Sequence, residues 1–301
     1  MDKFFQKLCN FYPHYKLDTK LKKKLFYLIF SLIKIFLKGP FIINFNKFKF
    51  YAYPQKKNYS RSLLTKINLH DEGEINFLNK NIDNNSIFID CGANQGFYSI
   101  PIAGHNLETK VYAFEPSPQE MILLKENIKL NNFNNIETLN FAIAEKEGTF
   151  NFKDDNLDSN STKGGFIVDD NQIKSKTSFI EALTLNKFIN NLKISDDKKL
   201  FIKIDLEGYD FNAIYGCDDI INKFFVLILF EFSKMGINSK IYNFDEFNNF
   251  LKKNDLAILD IDLNEISLLD LHNKIDKLEK KYDVLGNFLL IKRKNKNFLK
   301  K

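Results

Sequence analysis

An α/β fold, a mostly parallel sheet flanked by helices, is what this 301-residue sequence predicts. Three observations carry that expectation. From Asp71 onward, short apolar runs alternate with helix-like segments, the pattern of parallel strands joined by crossover helices. A buried run, Ser86 to Asp90, passes directly into Gly92, Ala93, Asn94, Gln95 and Gly96 and then into a helix. The next strand ends in an acidic residue, Glu115, about 25 positions beyond Asp90.

Composition bounds the alternatives. Hydrophobic residues make up 44% of the chain and charged residues 27%, close to folded globular averages, so a sizeable core is expected rather than disorder. The formal charge of +6 comes from lysine, with Arg61 and Arg293 the only arginines. Readers of phosphates and bases draw on the guanidinium fork, so no nucleic-acid partner is expected. Cys9, Cys91 and Cys217 are far apart and in no metal or disulfide spacing, which fits a reducing, cytoplasmic setting.

Taken in order, residues 20–38 read as a helix with a polar stripe of Lys20, Lys24, Tyr27, Ser31, Lys34 and Lys38, closed by Gly39 and Pro40. Lys34 and Lys38 interrupt the apolar run, so it is too short for a transmembrane span. Two readings stand for it: a helix packed on the main domain, or a peripheral anchor with Lys20, Lys22, Lys23 and Lys24 toward anionic membrane head groups on the inner face. Residues 41–53 suggest short strands of an N-terminal cap, ended by Pro54. Strands are then expected at 86–90, 111–115, 136–142, 200–205, 226–232, 257–261 and 288–292, and helices at 98–103, 118–131, 185–191, 209–222 and 244–254. The polar stretch 151–177, with Gly164 and Gly165, reads as a binding loop or lid, or as a surface insertion. This organises the chain as an extension, residues 1–70, a main domain, 71–293, and a frayed basic tail, 294–301.

The loop at 90–96 is a nucleotide pocket in outline. Glycines permit a sharp turn and close approach, the helix start offers free N–H groups, and Glu115 is placed to accept from ribose hydroxyls. A dinucleotide needs a middle glycine, yet Asn94 stands there, and Asp90 would repel a pyrophosphate while attracting a sulfonium ligand that carries an ammonium. Asn140, Phe141 and Ala142 end the third strand where adenine would lie; Phe141 either packs on that ring or belongs to the core.

These residues resemble the FkbM family of methyltransferases. The likeness rests on Asp90, Gly92, Ala93, Asn94, Gly96, Tyr98 and Ser99, on Ala113 to Pro118 including Glu115 and Pro116, and on Ile202 to Gly208 including Asp205 and Glu207. Asn127, Leu130, Asn131, Thr184, Leu185, Glu231 and Asn287 extend it, so that it covers roughly residues 71–292. The resemblance implies a Rossmann-like methyltransferase sheet with its last strand antiparallel, and S-adenosyl-L-methionine as cofactor. It further implies O-methylation of an acceptor hydroxyl on a glycan, sugar nucleotide or lipid-linked saccharide. An oxidoreductase using nicotinamide, and a non-catalytic nucleotide-binding module at a membrane surface, are the competing classes.

Lys203, Asp205 and Glu207 alternate along the fourth strand's end and share one side. Methyl transfer is an in-line displacement, so the protein must align an oxygen nucleophile and take its proton, which a carboxylate there can do. Asp205 and Glu207 are the catalytic candidates; the competing roles are a Lys203–Asp205 ion pair and a helix cap by Glu207. His70, just before the main domain, reads as a surface residue first and a further candidate base second, and no metal ion is expected because no third ligand accompanies the two carboxylates.

Overall fold

The protein is described by a computed structural model covering residues 3, 4, 6, 7, 36–53, 71–154, 165–168, 177–238, 242–278 and 284–301. All of the expected N-terminal helix except Phe36, Leu37 and Lys38 lies outside the described residues, as do Cys9 and His70. No helix among the described residues is long and apolar enough to cross a membrane.

The centre is a seven-stranded sheet whose order is β12-β13-β11-β10-β3-β4-β5. Its strands are β3 (Ser86–Cys91), β4 (Lys110–Phe114), β5 (Ile136–Leu139), β10 (Lys199–Ile204), β11 (Phe225–Ser233), β12 (Leu256–Leu259) and β13 (Val284–Lys292). Neighbours run parallel except at β13, which is antiparallel to both β11 and β12. The expected reversal of the last strand is therefore present, and it is wedged between the fifth and sixth strands. Dinucleotide-binding sheets follow the order 3-2-1-4-5-6 without that insertion.

Side chains alternate across this sheet, and both faces are covered. On β3, Ile87, Ile89 and Cys91 enter one core cluster while Phe88 enters the other; on β10, Leu200, Ile202 and Ile204 oppose Phe201 in the same way. Burial on both faces is why these strands read as unbroken apolar runs. Helices α1 (Glu72–Asn81) and α2 (Ser99–His105) cover one side, with α3 (Pro118–Asn131) beyond them. The opposite side carries α4 (Leu185–Leu192), α5 (Asp210–Tyr215), α6 (Asp218–Lys223), α7 (Lys234–Asn238), α8 (Phe244–Lys253) and α9 (Leu268–Asp276). Helix α3 starts where Ser117 accepts from the Glu120 amide with Pro118 in the first turn, a capping arrangement legible in the sequence.

Three expectations need correction. The strand expected at 136–142 stops at Leu139, and a two-residue strand β6 (Ala142–Ile143) joins a different sheet. The break is held by Asn140, whose amide donates to the carbonyls of Glu115 (2.7 Å) and Pro116 (3.0 Å). The helix expected at 209–222 is split into α5 and α6 at Gly216, where an added Cβ would sit 2.6 Å from the Ala144 carbonyl oxygen. The polar stretch at 151–177 contains strand structure: β7 (Gly148–Asp154), β8 (Gly165–Val168) and β9 (Ser178–Leu183) build a four-stranded sheet of order β6-β9-β7-β8. The tail is also more ordered than expected, since Arg293–Phe298 forms a 3₁₀ helix.

Strands β1 (Phe41–Phe45) and β2 (Phe48–Ala52) form a hairpin that lies on α2 and α3. Its buried Phe41, Ile43, Phe45, Phe48 and Phe50 pack with Leu37 and Ile100. Two side chains of α3 fasten its edge. Asn131 accepts from the Lys49 amide (2.9 Å) and donates to the Lys49 carbonyl (2.7 Å), satisfying a strand edge that would otherwise be open. Asn127 accepts from the Tyr51 amide at 2.8 Å and donates to the Gln95 carbonyl at 3.0 Å. The hairpin is thereby tied through one buried side chain to the loop after β3.

Candidate active site

A cleft of about 900 Å³, counted with the solvent at its mouth, opens at the carboxyl ends of β3, β4 and β10. This is where the strand order reverses, the place α/β sheets use for ligands. Of the residues expected to bind cofactor, Asp90, Gly92, Asn94, Glu115, Pro116 and Ala142 line it, as do Asp205 and Glu207. Gly96 stands behind the lining, and Phe141 packs against the main core cluster instead, because the chain changes sheets at that point.

The loop after β3 has three left-handed residues, Gly92 (φ 81°), Asn94 (φ 49°) and Gly96 (φ 91°). Asparagine tolerates that region, so the turn forms without a middle glycine. An added Cβ on Gly92 would stand 2.1 Å from the Asp205 backbone oxygen, so the missing side chain admits the end of β10. Gly92→Ala therefore combines a disfavoured φ with a backbone collision, and is expected to lower stability by ~1–3 kcal/mol in denaturant unfolding. An unchanged midpoint would show that the two strand ends can separate freely.

Glu115 joins the two loops. One carboxylate oxygen accepts from the Asn94 amide and the other from the Ser117 amide, both at 2.8 Å, while the side chain borders the cleft. Buried Gln95 donates to Glu120 at 2.9 Å, bracing the loop from behind. Asp90 is 1% exposed. Its Oδ2 accepts from the Ser99 hydroxyl (2.6 Å) and amide (3.1 Å), whereas its buried Oδ1 has no partner among the described residues. Burial raises the Asp90 carboxyl above its ordinary range, with Lys203 and Ser99 opposing.

Lys203 is buried beside Asp90 in the strand register, donates to Asp205 at 2.8 Å and stands 5.1 Å from the centre of the Tyr98 ring. Burial disfavours its charge, but Asp205 and Asp90 outweigh that and raise its pKa. The ion pair is thus real, and it leaves the Asp205 side chain 31% exposed at the cleft.

Beyond Asp205 the chain takes two consecutive left-handed residues, Glu207 (φ 53°) and Gly208 (φ 94°). The residue that grips this turn is Asp210, which the sequence reading missed. Fully buried, it accepts from the amides of Leu206 (3.3 Å) and Gly208 (3.2 Å) and from the Tyr242 hydroxyl (3.1 Å). The one local signal was an acidic residue in the first turn of α5, which reads as ordinary dipole compensation. Burial, then the Asp205 charge, push the Asp210 carboxyl up to about 7. Glu231 on β11 is raised by burial and then by Asp205, Asp210 and Glu207, with Lys203 opposing.

The sheet order is that of a Rossmann-like methyltransferase fold with its last strand antiparallel. The chain belongs to the FkbM methyltransferase family, whose domain profile, "Methyltransferase FkbM domain", matches residues 90–257. Among curated proteins none matches significantly. Solved structures similar in fold include methyltransferase FkbM from Methylobacillus flagellatus KT, at 16% identity and TM-score 0.41 over 68% of this chain. The chain spans 44% of that protein's length. Others are TYW2 of M. jannaschii in complex with AdoMet (16% identity, TM-score 0.39, 83% of this chain and 84% of that one) and Trm5b of Pyrococcus abyssi (14%, 0.41, 83% and 54%). The family assignment rests on the sequence profile, which covers more than half of the chain.

Proposed function

We propose that the protein methylates a hydroxyl group, on a saccharide-type acceptor, with Asp205 handling the proton. The observation that supports this reading is the Asp205 carboxylate, held by Lys203 at 2.8 Å yet still open to the cleft. The buried, unpartnered Asp90 Oδ1 is a site for a donor such as an ammonium, and the cleft residues fit the cofactor on that ground. Asp90 would hold the amino-acid end, Glu115 the ribose, and Ala142 with Pro116 the border of the base. When bound, S-adenosylmethionine supplies an electrophilic methyl carbon.

The chain's own residues do the rest. Lys203 directs the Asp205 carboxylate, which receives the hydroxyl proton as the acceptor oxygen forms its new bond. Phe152 and Ile167, paired across β7 and β8, wall the cleft with apolar surface and limit water. The acceptor class comes from the family resemblance, in which O-methylation of sugars and glycans is common.

The test is a calorimetric titration with S-adenosylhomocysteine followed by a labelled-methyl screen of methyl glycosides, lipid-linked saccharides, RNA and protein. Binding, with label entering a saccharide hydroxyl, is expected. Label entering RNA or protein alone would overturn the acceptor reading.

A further inference from the structure

The machinery proposed above ends at Asp205 and Glu207, yet neither residue explains why the turn that carries them has its shape. Glu207 occupies a left-handed conformation that an L-residue with a long side chain adopts at a cost, directly before a left-handed glycine. Such a pair persists where the surroundings over-determine it. Here one buried side chain supplies a large part of that hold, beside the Tyr209 amide's bond to the Leu206 carbonyl at 3.2 Å. Asp210 is the first residue of α5, and its carboxylate turns backward to the amides of Leu206 and Gly208 on either side of Glu207. The residue preceding α5, Tyr209, makes no side-chain cap. Tyr242 donates to the same carboxylate, and its ring is stacked on Phe211 at 4.0 Å, so the donor comes from a rigid support.

We propose that Asp210 is a positioning residue for the acceptor side of the cleft: through its grip on Leu206 and Gly208 it fixes the turn from which Asp205 and Glu207 meet the acceptor. This rests on the reading of Asp205 given above. The carboxylate form grips more strongly, because charge-assisted hydrogen bonds are about twice as strong as neutral ones. The groups that interact with Asp210 are Asp205 on the turn, Glu231 on β11, Cys91 on β3 and the Tyr242 hydroxyl; Glu207 and Lys203 reach the same cluster through Glu231. Burial and the Asp205 charge bring its titration to about 7, so the grip strengthens as pH rises through neutrality.

Stability runs the other way. The folded pKa lies above the unfolded carboxylate value, so the native state retains a proton that the unfolded chain releases. The stabilisation this gives is complete below the unfolded pKa, near 4, and is lost as pH rises through about 7. Positioning and stability therefore have opposite pH dependence, which a purely structural carboxyl would not show.

The experiment follows the ¹H–¹⁵N shifts of the Leu206 and Gly208 amides from pH 5 to 9, together with S-adenosylhomocysteine affinity and, on the methyl glycoside returned by the label screen, kcat. In the unaltered protein both amides are expected to titrate with a midpoint of about 7. Asp210→Asn removes that titration, leaves S-adenosylhomocysteine affinity within about twofold and lowers kcat about 10- to 100-fold, the scale of a misplaced reacting group. Tyr242→Phe, which retains the stacked ring, moves the midpoint to higher pH and keeps the proposal testable if Asp210→Asn does not fold. Amides that do not titrate, or a Tyr242→Phe midpoint that stays in place, overturn the proposal. So does an Asp210→Asn protein that keeps the parent kcat. An Asp205→Asn protein that keeps full kcat strikes the proposed function instead, and the amide titration still decides whether Asp210 holds the turn.

Discussion

Asp205→Asn is expected to slow methyl transfer by about 10²- to 10⁴-fold, the range of positioned general bases, with S-adenosylhomocysteine affinity nearly intact. The substitution retains the side-chain shape and removes the proton acceptor. The cofactor end of the cleft is built by Asp90, Glu115 and the 92–96 loop, so a residue on β10 can lose its charge without disturbing those contacts. Lys203 loses a charged partner at 2.8 Å, retains an amide oxygen to donate to, and still faces Asp90 in the neighbouring strand, which gives the buried ammonium a remaining counter-charge. Rates at saturating acceptor, measured beside calorimetry, check the result. Affinity falling in step with rate would assign Asp205 to the binding shell, and an unaltered rate would remove it from proton handling.

The parts of this site that could be read from sequence are those whose environment is set by local order. Ser86 to Asp90 and Leu200 to Ile204 are apolar runs because both sheet faces bury them, and their ends deliver Asp90 and Asp205 to the same edge by strand pairing. The parts that could not be read depend on contacts between distant segments. Asn140 breaks the third strand by bonding back to Glu115 and Pro116, and Gly216 splits a helix because Ala144 approaches it. Strands β7 and β8 escape notice because the sequence around them, at 155–164 and 169–177, is largely polar. Asn127 and Asn131 were visible as part of a family pattern, but their use as a clamp on the β1–β2 hairpin required knowing that the hairpin lies there. Asp210 is the extreme case: its carboxylate reaches back to the amides of Leu206 and Gly208, before the helix it begins.

Glu115→Ala is expected to reduce S-adenosylhomocysteine affinity by at least about 10²-fold, the equivalent of ~3 kcal/mol. Two losses combine in that figure. A ribose hydroxyl loses a charged acceptor, and such bonds contribute ~1.5–3 kcal/mol. The amides of Asn94 and Ser117, each at 2.8 Å from a Glu115 oxygen, lose their partner together, so the loops after β3 and β4 are no longer tied. Asn94 is left-handed at φ 49°, a conformation asparagine tolerates, and the Glu115 bond holds its amide in place. Glu115→Gln separates the two effects. Its remaining carbonyl oxygen satisfies one amide, while its NH₂ group confronts the other, so affinity is expected to fall by about 10-fold, between parent and alanine variant. Calorimetric titration of the three proteins measures this series, and denaturant unfolding of the same samples shows how far the untied loops destabilise the fold. If Glu115→Ala binds as tightly as the parent while unfolding more easily, Glu115 is a brace between two loops and the ribose lies elsewhere in the cleft. If both variants bind weakly and unfold normally, the carboxylate acts on the ligand directly.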